Sequence, residues 1–314
     1  MRLQRLALAM AGMGLLAASV VSAPATAGTT DSKPWSDRTK QTNTTKAGTA
    51  CLVSAAFPAA AGTVSEADAI AGRPAQGVQY DPFKFVGTRA NATWYLASNA
   101  ALTQFYYYGL LLQGGNLYRH TTYIYEDDRA PLATFKKVGS GWTSFKTIAT
   151  SNLNTYNARH AFLYGLNSNG SLYRYSIVGA GIKSYGSFPG FKGFKTMTVI
   201  SETAAYDTLL MTTTAGALWS VRIPTAASTK PILKRIRSGG WQNFESLVVE
   251  NCGSRGGLLI LGVDNNTQTG TLYAMSKANG AATALTGYGP IQGVVFNGVD
   301  TVREASYYDQ LVGE

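Results

Sequence analysis

Along most of this chain, apolar and polar residues alternate in short runs, and the runs come in pairs joined by tight polar turns. "GLLLQGGNLYRH" (109–120), "YGLNSNGSLYRY" (164–175), "TTTAGALWSV" (212–221) and "DNNTQTGTLYAM" (264–275) each read apolar strand, turn, apolar strand. Gly-Gly and Asn-Gly ahead of alternating apolar residues signal hairpins, because these residues accept the positive φ that a tight turn needs. Helical apolar spacing is absent after the first 27 residues. The period-two pattern predicts an all-β protein built from hairpins.

A second pattern repeats with the hairpins. "FKFVGTRANATW" (83–94), "FKTIATSNLNTY" (145–156), "FKTMTVISE" (194–202), "FESLVVENC" (244–252) and "IQGVVFNG" (291–298) form a series of candidate inner strands. Three residues before each stands an aromatic: Tyr80, Trp142, Phe191, Trp241 and Tyr288, spaced 62, 49, 50 and 47 residues apart. All but Tyr80 follow a Gly. One inner strand, one hairpin and room for a fourth strand in about 50 residues is a propeller blade. The sequence therefore predicts a five-bladed β-propeller of four-stranded blades over residues 48–314.

The ends predict how the ring closes. The fifth copy stops after "SYYDQLVGE", two strands short, while "GTACLVSAA" (48–56) is similar to "GTLYAMSKA" (270–278), the third strand of copy four. N-terminal strands would complete the last blade, pairing with 306–312 and removing the open edges of a linear array. This places Cys51 in the closing blade, next to the blade holding Cys252. The two are the only cysteines, and an even count in an exported protein predicts a disulfide.

Export itself is read from residues 1–27. Arg2 and Arg5, a short Ala- and Gly-rich apolar run and the small residues "ATA" at 25–27 form a secretory signal peptide rather than a membrane span. Residues 28–47 are polar and read as a flexible leader. The formal charge of +10 falls to +8 once Arg2 and Arg5 are removed. Its densest stretch, "KPILKRIRSGG" (230–240), reads as a solvated basic strand edge rather than a nucleic-acid groove. No later segment approaches membrane-spanning length. His120 and His160 are the only histidines and are expected to be hydrogen-bonded structural groups at strand ends. No metal cluster, phosphate cradle or nucleophile–base pattern appears, and "DNNTQTG" (264–270) lacks the closing Glu of a calcium loop. The protein is expected to be neither an enzyme nor cofactor-dependent.

"GSGWTSFKTI" (139–148) and "SGGWQNFESL" (238–247), with "NGSLYRYS" (169–176), resemble the blade signature of the tachylectin-2 family of five-bladed propeller lectins. "PGFKGFKTM" (189–197) fits with Phe191 in place of Trp. The resemblance spans 48–314 and is strongest over copies two to four; copy one has Gln79 where the others have Gly, and copy five lacks the Phe. It implies a single five-bladed ring that binds N-acetylated hexosamines or cell-wall glycans without catalysis. The candidate ligand-binding residues are Gly141, Trp142, Thr143, Phe191, Gly240, Trp241, Gln242 and Asn243. Rings would stack on sugar or shape its pocket, glycines would admit the ligand to the backbone, and amides would bond its hydroxyls. Rings wedged between sheets as core are the competing reading of the same pattern. The chain also resembles, more loosely, secreted actinobacterial propellers such as the dispase autolysis-inducing protein. That likeness implies a protein-interaction module bound to a secreted protease or cross-linked by a transglutaminase, with Lys40 and Gln41 of the leader as candidate sites.

Overall fold

A computed structural model of the chain describes residues 51–101, 103–125, 129–227, 229–252 and 257–314. The expected signal peptide (1–27) and leader (28–47), with Lys40 and Gln41, lie outside the described residues. Strands β1 (Leu52–Pro58), β2 (Thr63–Ile70) and β3 (Gln76–Lys84) form an antiparallel meander. The two-residue β4 (Ala90–Asn91) and strand β5 (Trp94–Ser98) both pair with β6 (Phe105–Gln113), which continues into β7 (Asn116–Ile124) and β8 (Leu132–Ser140). Three separate four-stranded antiparallel sheets follow. The first holds β9 (Phe145–Asn154), β10 (Arg159–Asn167), β11 (Ser171–Val178) and β12 (Gly181–Pro189). The second holds β13 (Phe194–Glu202), β14 (Tyr206–Thr213), β15 (Leu218–Pro224) and β16 (Ile232–Arg237). The third holds β17 (Ser246–Asn251), β18 (Leu258–Asp264), β19 (Thr269–Met275) and β20 (Leu285–Pro290). The last strand, β21 (Val302–Ser306), pairs antiparallel with β1 and parallel with β5, joining the first and last sets in one sheet.

The protein is thus all-β in its described residues, with repeated four-stranded sheets consistent with a propeller. Strand β9 packs on β13, β13 on β17, β17 on β21, and β4 on β9. Burial follows position within each sheet. β13 and β18 are buried almost throughout because both faces are covered; β18 is a near-continuous apolar run, whereas β13 buries Thr196, Thr198, Ser201 and Glu202 among its apolar residues. Outer strands β8, β12 and β16 are mostly exposed and carry the charges, and "KPILKRIR" falls on solvated β16 as expected.

The predicted hairpins form at β6–β7, β10–β11, β14–β15 and β18–β19. "DNNTQTG" is a turn, in which the Asp264 carboxylate accepts from the amides of Asn266 and Thr267 at 2.9 and 3.2 Å.

The repeat needs correction at its two ends. The amides of Trp142, Phe191 and Trp241 donate to the carbonyls of hairpin residues Gly115, Gly170 and Gly216 at 2.8–3.0 Å. The same bond is made by Phe85 to Gly62 and by Ile291 to Gly270. Phe85 and Ile291, not Tyr80 and Tyr288, are therefore the equivalents of Trp142. Tyr80 lies in outer strand β3, where its hydroxyl donates to Asp68 at 2.8 Å, and Tyr288 lies in β20. Nearby aromatics on outer strands mimicked the phase.

The closing sheet differs in the same way. Residues 291–298 form no strand, and the C-terminal part supplies only β21, so the N-terminal part supplies three strands rather than two. β1 lies directly beside β21, the place of a second strand, through Ala55 opposite Arg303 and Ala56 opposite Val302. The pairing partner is 302–306, not 306–312. Residues 311–313 instead lie on β13, with Val312 bridged to Ser201 and the Gly313 amide donating to Ile200 at 2.8 Å. Leu311 is buried in the core there.

The Cys51–Cys252 disulfide is present, with Cα atoms 5.3 Å apart. It ties the entry to β1 to the exit from β17.

Candidate functional site

The loops that enter β9, β13 and β17 share one geometry. Gly141, Gly190 and Gly240 adopt φ of 84°, 97° and 94°, and a Cβ at any of them would meet no atom within 4 Å. Each is followed by a ring that turns inward: Trp142, Phe191 and Trp241 are 4, 2 and 5% exposed. Trp142 packs on Phe145 and Tyr175 with centroids 4.4 and 5.1 Å away, and Trp241 on Phe244 and Tyr273 at 5.4 and 4.8 Å. Phe191 packs on Phe194 at 5.3 Å. These rings are core, forming the floor of the loop.

The residues that follow point outward. Thr143, Lys192, Gln242 and Asn243 are exposed. Thr143, Lys192 and Gln242 also press on the neighbouring hairpin turns: a Cβ at Gly115 would stand 2.7 Å from Thr143 Oγ1, one at Gly170 would stand 2.9 Å from Lys192 Cβ, and one at Gly216 would collide with Gln242 Oε1. That close approach explains the Gly of each hairpin.

A cation from the preceding sheet fastens each loop. Arg89 donates to the carbonyls of Trp142, Phe145 and Gly114. Lys146 donates to Phe194 O at 3.4 Å, and Lys195 to Gln242 O while pairing with Glu245 at 3.2 Å. The recurring "FK" thus serves the fold as an inter-sheet clasp. Together these features bring Gly141–Thr143 to one loop, Phe191 to the second and Gly240–Asn243 to the third, as separate, similar surfaces.

Near the starts of the same strands lies a small polar cavity. Asn91, Thr147, Thr196, Ser246 and Thr301 line it, drawn from all four sheets, with Asn91 and the approach to β21 both belonging to the sheet that joins the two ends of the chain. It offers water-sized groups about 20 Å³, room for about one water. Asp300 beside it accepts from Ser246 Oγ at 2.9 Å and from the amides of Asn91 and Thr301 at 2.5 and 2.9 Å, yet burial still raises its carboxyl pKa.

At the far ends of these strands, buried charges are paired. Arg303 pairs with Glu250 at 2.7 Å and Asp309 at 2.6 Å. Burial, opposed by Arg303, pushes the Glu250 carboxyl up to about 7, and burial also raises Glu202, whose carboxylate accepts from the amides of Asn152 and Leu311. Asp207 accepts from Ser151, Tyr164 and His160 at 2.5, 2.7 and 2.9 Å. Fully buried Arg174 donates to the carbonyls of Pro224 and Ala226, and its guanidinium lies over Tyr185 at 4.7 Å. His120 is fully buried against Trp94 and Phe85, and desolvation lowers its pKa to about 3. Both histidines are hydrogen-bonded, His120 through Thr122 at 3.0 Å. His160 lies at the start of β10 as expected, whereas His120 sits within β7. Sequence reasoning missed this ionic layer, since its partners come from distant strands, Arg303 and Glu250 lying 53 residues apart and Glu202 and Leu311 109, and no local pattern links them. Among the described residues no group of three His, Cys, Asp or Glu could hold a metal ion, and no helix is long and apolar enough to cross a membrane.

No protein-family model and no curated protein matches the chain. Among solved structures it is similar to SapL1 lectin in complex with alpha methyl fucoside, at 9% identity over 76% of this chain and 80% of that one, with a TM-score of 0.39. An Aleuria aurantia lectin mutant in complex with Fucalpha1-6GlcNAc matches at 11% identity, over 76 and 78% of the two chains, with a TM-score of 0.41. The catalytic domain of the Coprinopsis cinerea GH62 alpha-L-arabinofuranosidase matches at 12% identity, over 67 and 71%, with a TM-score of 0.44. Likenesses of this size assign neither family nor activity.

Proposed function

We propose that the protein is an exported, non-catalytic carbohydrate-binding propeller of five blades, closed where β21 meets β1 and β5. Its ligands are N-acetylated hexosamines or cell-wall glycans, as in the tachylectin-2 family. The observation that supports this reading is the threefold recurrence of one loop: a buried ring beneath, a left-handed glycine with open space above, and exposed polar side chains beside it. Such a surface gives a sugar access to backbone groups at the glycine and to hydroxyl or amide groups at Thr143, Gln242 and Asn243. The rings act by holding the loop. Each site is small, so single-sugar affinity is weak and polymers bind through several loops at once.

The test is glycan-array and chitin or peptidoglycan retention of the wild type and of the double variant Gln242→Ala/Asn243→Ala. Both residues are exposed, so the variant keeps its melting temperature to within about 2 °C while retaining less ligand. If the wild type binds no N-acetylhexosamine in any form, the reading fails, and capture of a secreted protease becomes the function to test.

A further inference from the structure

Six tyrosines that take no part in the loops described above stand together. Tyr95, Tyr106, Tyr108, Tyr123, Tyr307 and Tyr308 form one connected set of rings. Centroids of Tyr123 and Tyr106 are 6.0 Å apart, those of Tyr106 and Tyr108 6.4 Å, and those of Tyr108 and Tyr307 6.3 Å. Tyr307 and Tyr308 follow at 5.1 Å, and Tyr95 backs Tyr108 at 5.8 Å. Strand pairing explains the row. Tyr106 and Tyr108 are two apart on β6 and share a face; Tyr123 stands opposite Tyr106, and Tyr95 opposite Tyr108. The turn after β21 brings in Tyr307, whose amide donates to Leu96 O at 3.1 Å.

Tyr95 is buried and its hydroxyl reaches Thr150 O at 3.5 Å, so this face is turned toward the β9–β12 sheet. The other five rings are open to solvent in part, and Tyr308 is 74% exposed. The cross-strand row through Tyr106 runs Ala97, Tyr106, Tyr123, Leu132, and the next runs Tyr95, Tyr108, Thr121, Thr134. No charged residue stands in either. Of the charges beside the rows, Arg119 donates to Gly179 O at 3.0 Å, Arg129 lies over Tyr125 at 4.1 Å, and Asp309 pairs with Arg303.

We infer that this tyrosine row is a second binding surface, which takes a neutral polysaccharide chain lying along it. A tyrosine ring has an apolar face and a hydroxyl at its rim, which matches a sugar's C–H face and the hydroxyls at its edge. Successive rings lie about one sugar ring apart, so a chain finds several contacts where a monosaccharide finds one. With no charge in either cross-strand row, the contacts along it suit a neutral polymer. The row runs from the end of β7 across the start of β6 to the turn after β21, whereas the glycine loops lie at the starts of β9, β13 and β17. The two surfaces therefore act separately.

The experiment compares Tyr106→Ala/Tyr308→Ala with Gln242→Ala/Asn243→Ala in the full chain. Binding to glycol chitin and to hydroxyethylcellulose is measured by gel retardation, binding to free N-acetylglucosamine by calorimetry, and folding by near-ultraviolet circular dichroism. The tyrosine variant is expected to bind polymer roughly tenfold more weakly with unchanged monosaccharide binding, and Tyr308→Trp in place of Tyr308→Ala should recover part of the loss. Unchanged polymer retention in a folded tyrosine variant overturns the inference, leaves the loop sites standing, and points to a protein surface instead. Monosaccharide binding without polymer retention by the wild type also overturns it, again leaving the loops. Polymer retention that survives the loop variant but not the tyrosine variant supports the second surface even where the loop reading fails.

Discussion

Glu250 and His120 show how one burial cost works in opposite directions. Desolvation disfavours the charged form of each, raising the carboxyl to about 7 and lowering the imidazole to about 3. With its folded pKa above the unfolded one, Glu250 stabilises the protein most below about pH 4.5, and that stability is lost as pH rises through 7. Neutral His120 contributes stability that is present above its ordinary 6.5 and is lost as pH falls toward 3. The two slopes oppose each other between about 4.5 and 6.5. Glu250→Gln removes one of them, so urea-unfolding stability across this window should rise with pH relative to wild type, by on the order of 1 kcal/mol per pH unit. Its absolute stability will be lower, because Arg303 keeps only Asp309; the test is the slope, and parallel pH profiles would refute the assignment.

Within the repeated element, the glycines divide into two kinds. Gly190 and Gly170 both hold positive φ, but only Gly170 faces a close neighbour, Lys192. An Ala at Gly190 meets backbone strain alone, about 1–2 kcal/mol. At Gly170 the same strain is joined by a clash that pushes the loop off its hairpin. Gly170→Ala should therefore melt several degrees below Gly190→Ala by calorimetry. Equal melting temperatures would mean that the loop–hairpin contact does not organise the blade.

For the whole molecule, the vulnerable place is where β21, from one part of the chain, meets β1 and β5, from another. The Cys51–Cys252 bond joins residues 201 apart, and a loop of that length is worth about 5 kcal/mol in the chain-entropy account. Cys51→Ser/Cys252→Ser should unfold at markedly lower guanidinium concentration, and the unreduced, denatured wild type should show no free thiol on labelling. Two labelled thiols per chain would disprove the bond.

The hairpins, the all-β class and the cysteine pair were legible from the sequence, because each depends on neighbours in the chain: period-two burial, turn residues with positive φ, and an even cysteine count. The repeat was legible wherever "G-W/F" and "F-K/E" stand together, at Trp142, Phe191 and Trp241. It was misread at Tyr80 and Tyr288, because an aromatic on an outer strand looks the same in sequence as one beneath a loop. The hydrogen bonds of Phe85 to Gly62 and of Ile291 to Gly270 distinguish them, and those exist only once the strands are paired. The same holds for candidate chemistry. Exposed Gln242 and Asn243 lay beside a recognisable Trp, but the inward turn of that Trp is a packing outcome. The Arg303–Glu250–Asp309 cluster and the tyrosine row arise from side chains brought together by strand register and by the segment after β21. Local sequence specified the strands and turns; contacts between distant strands decided which rings became core and which reached solvent.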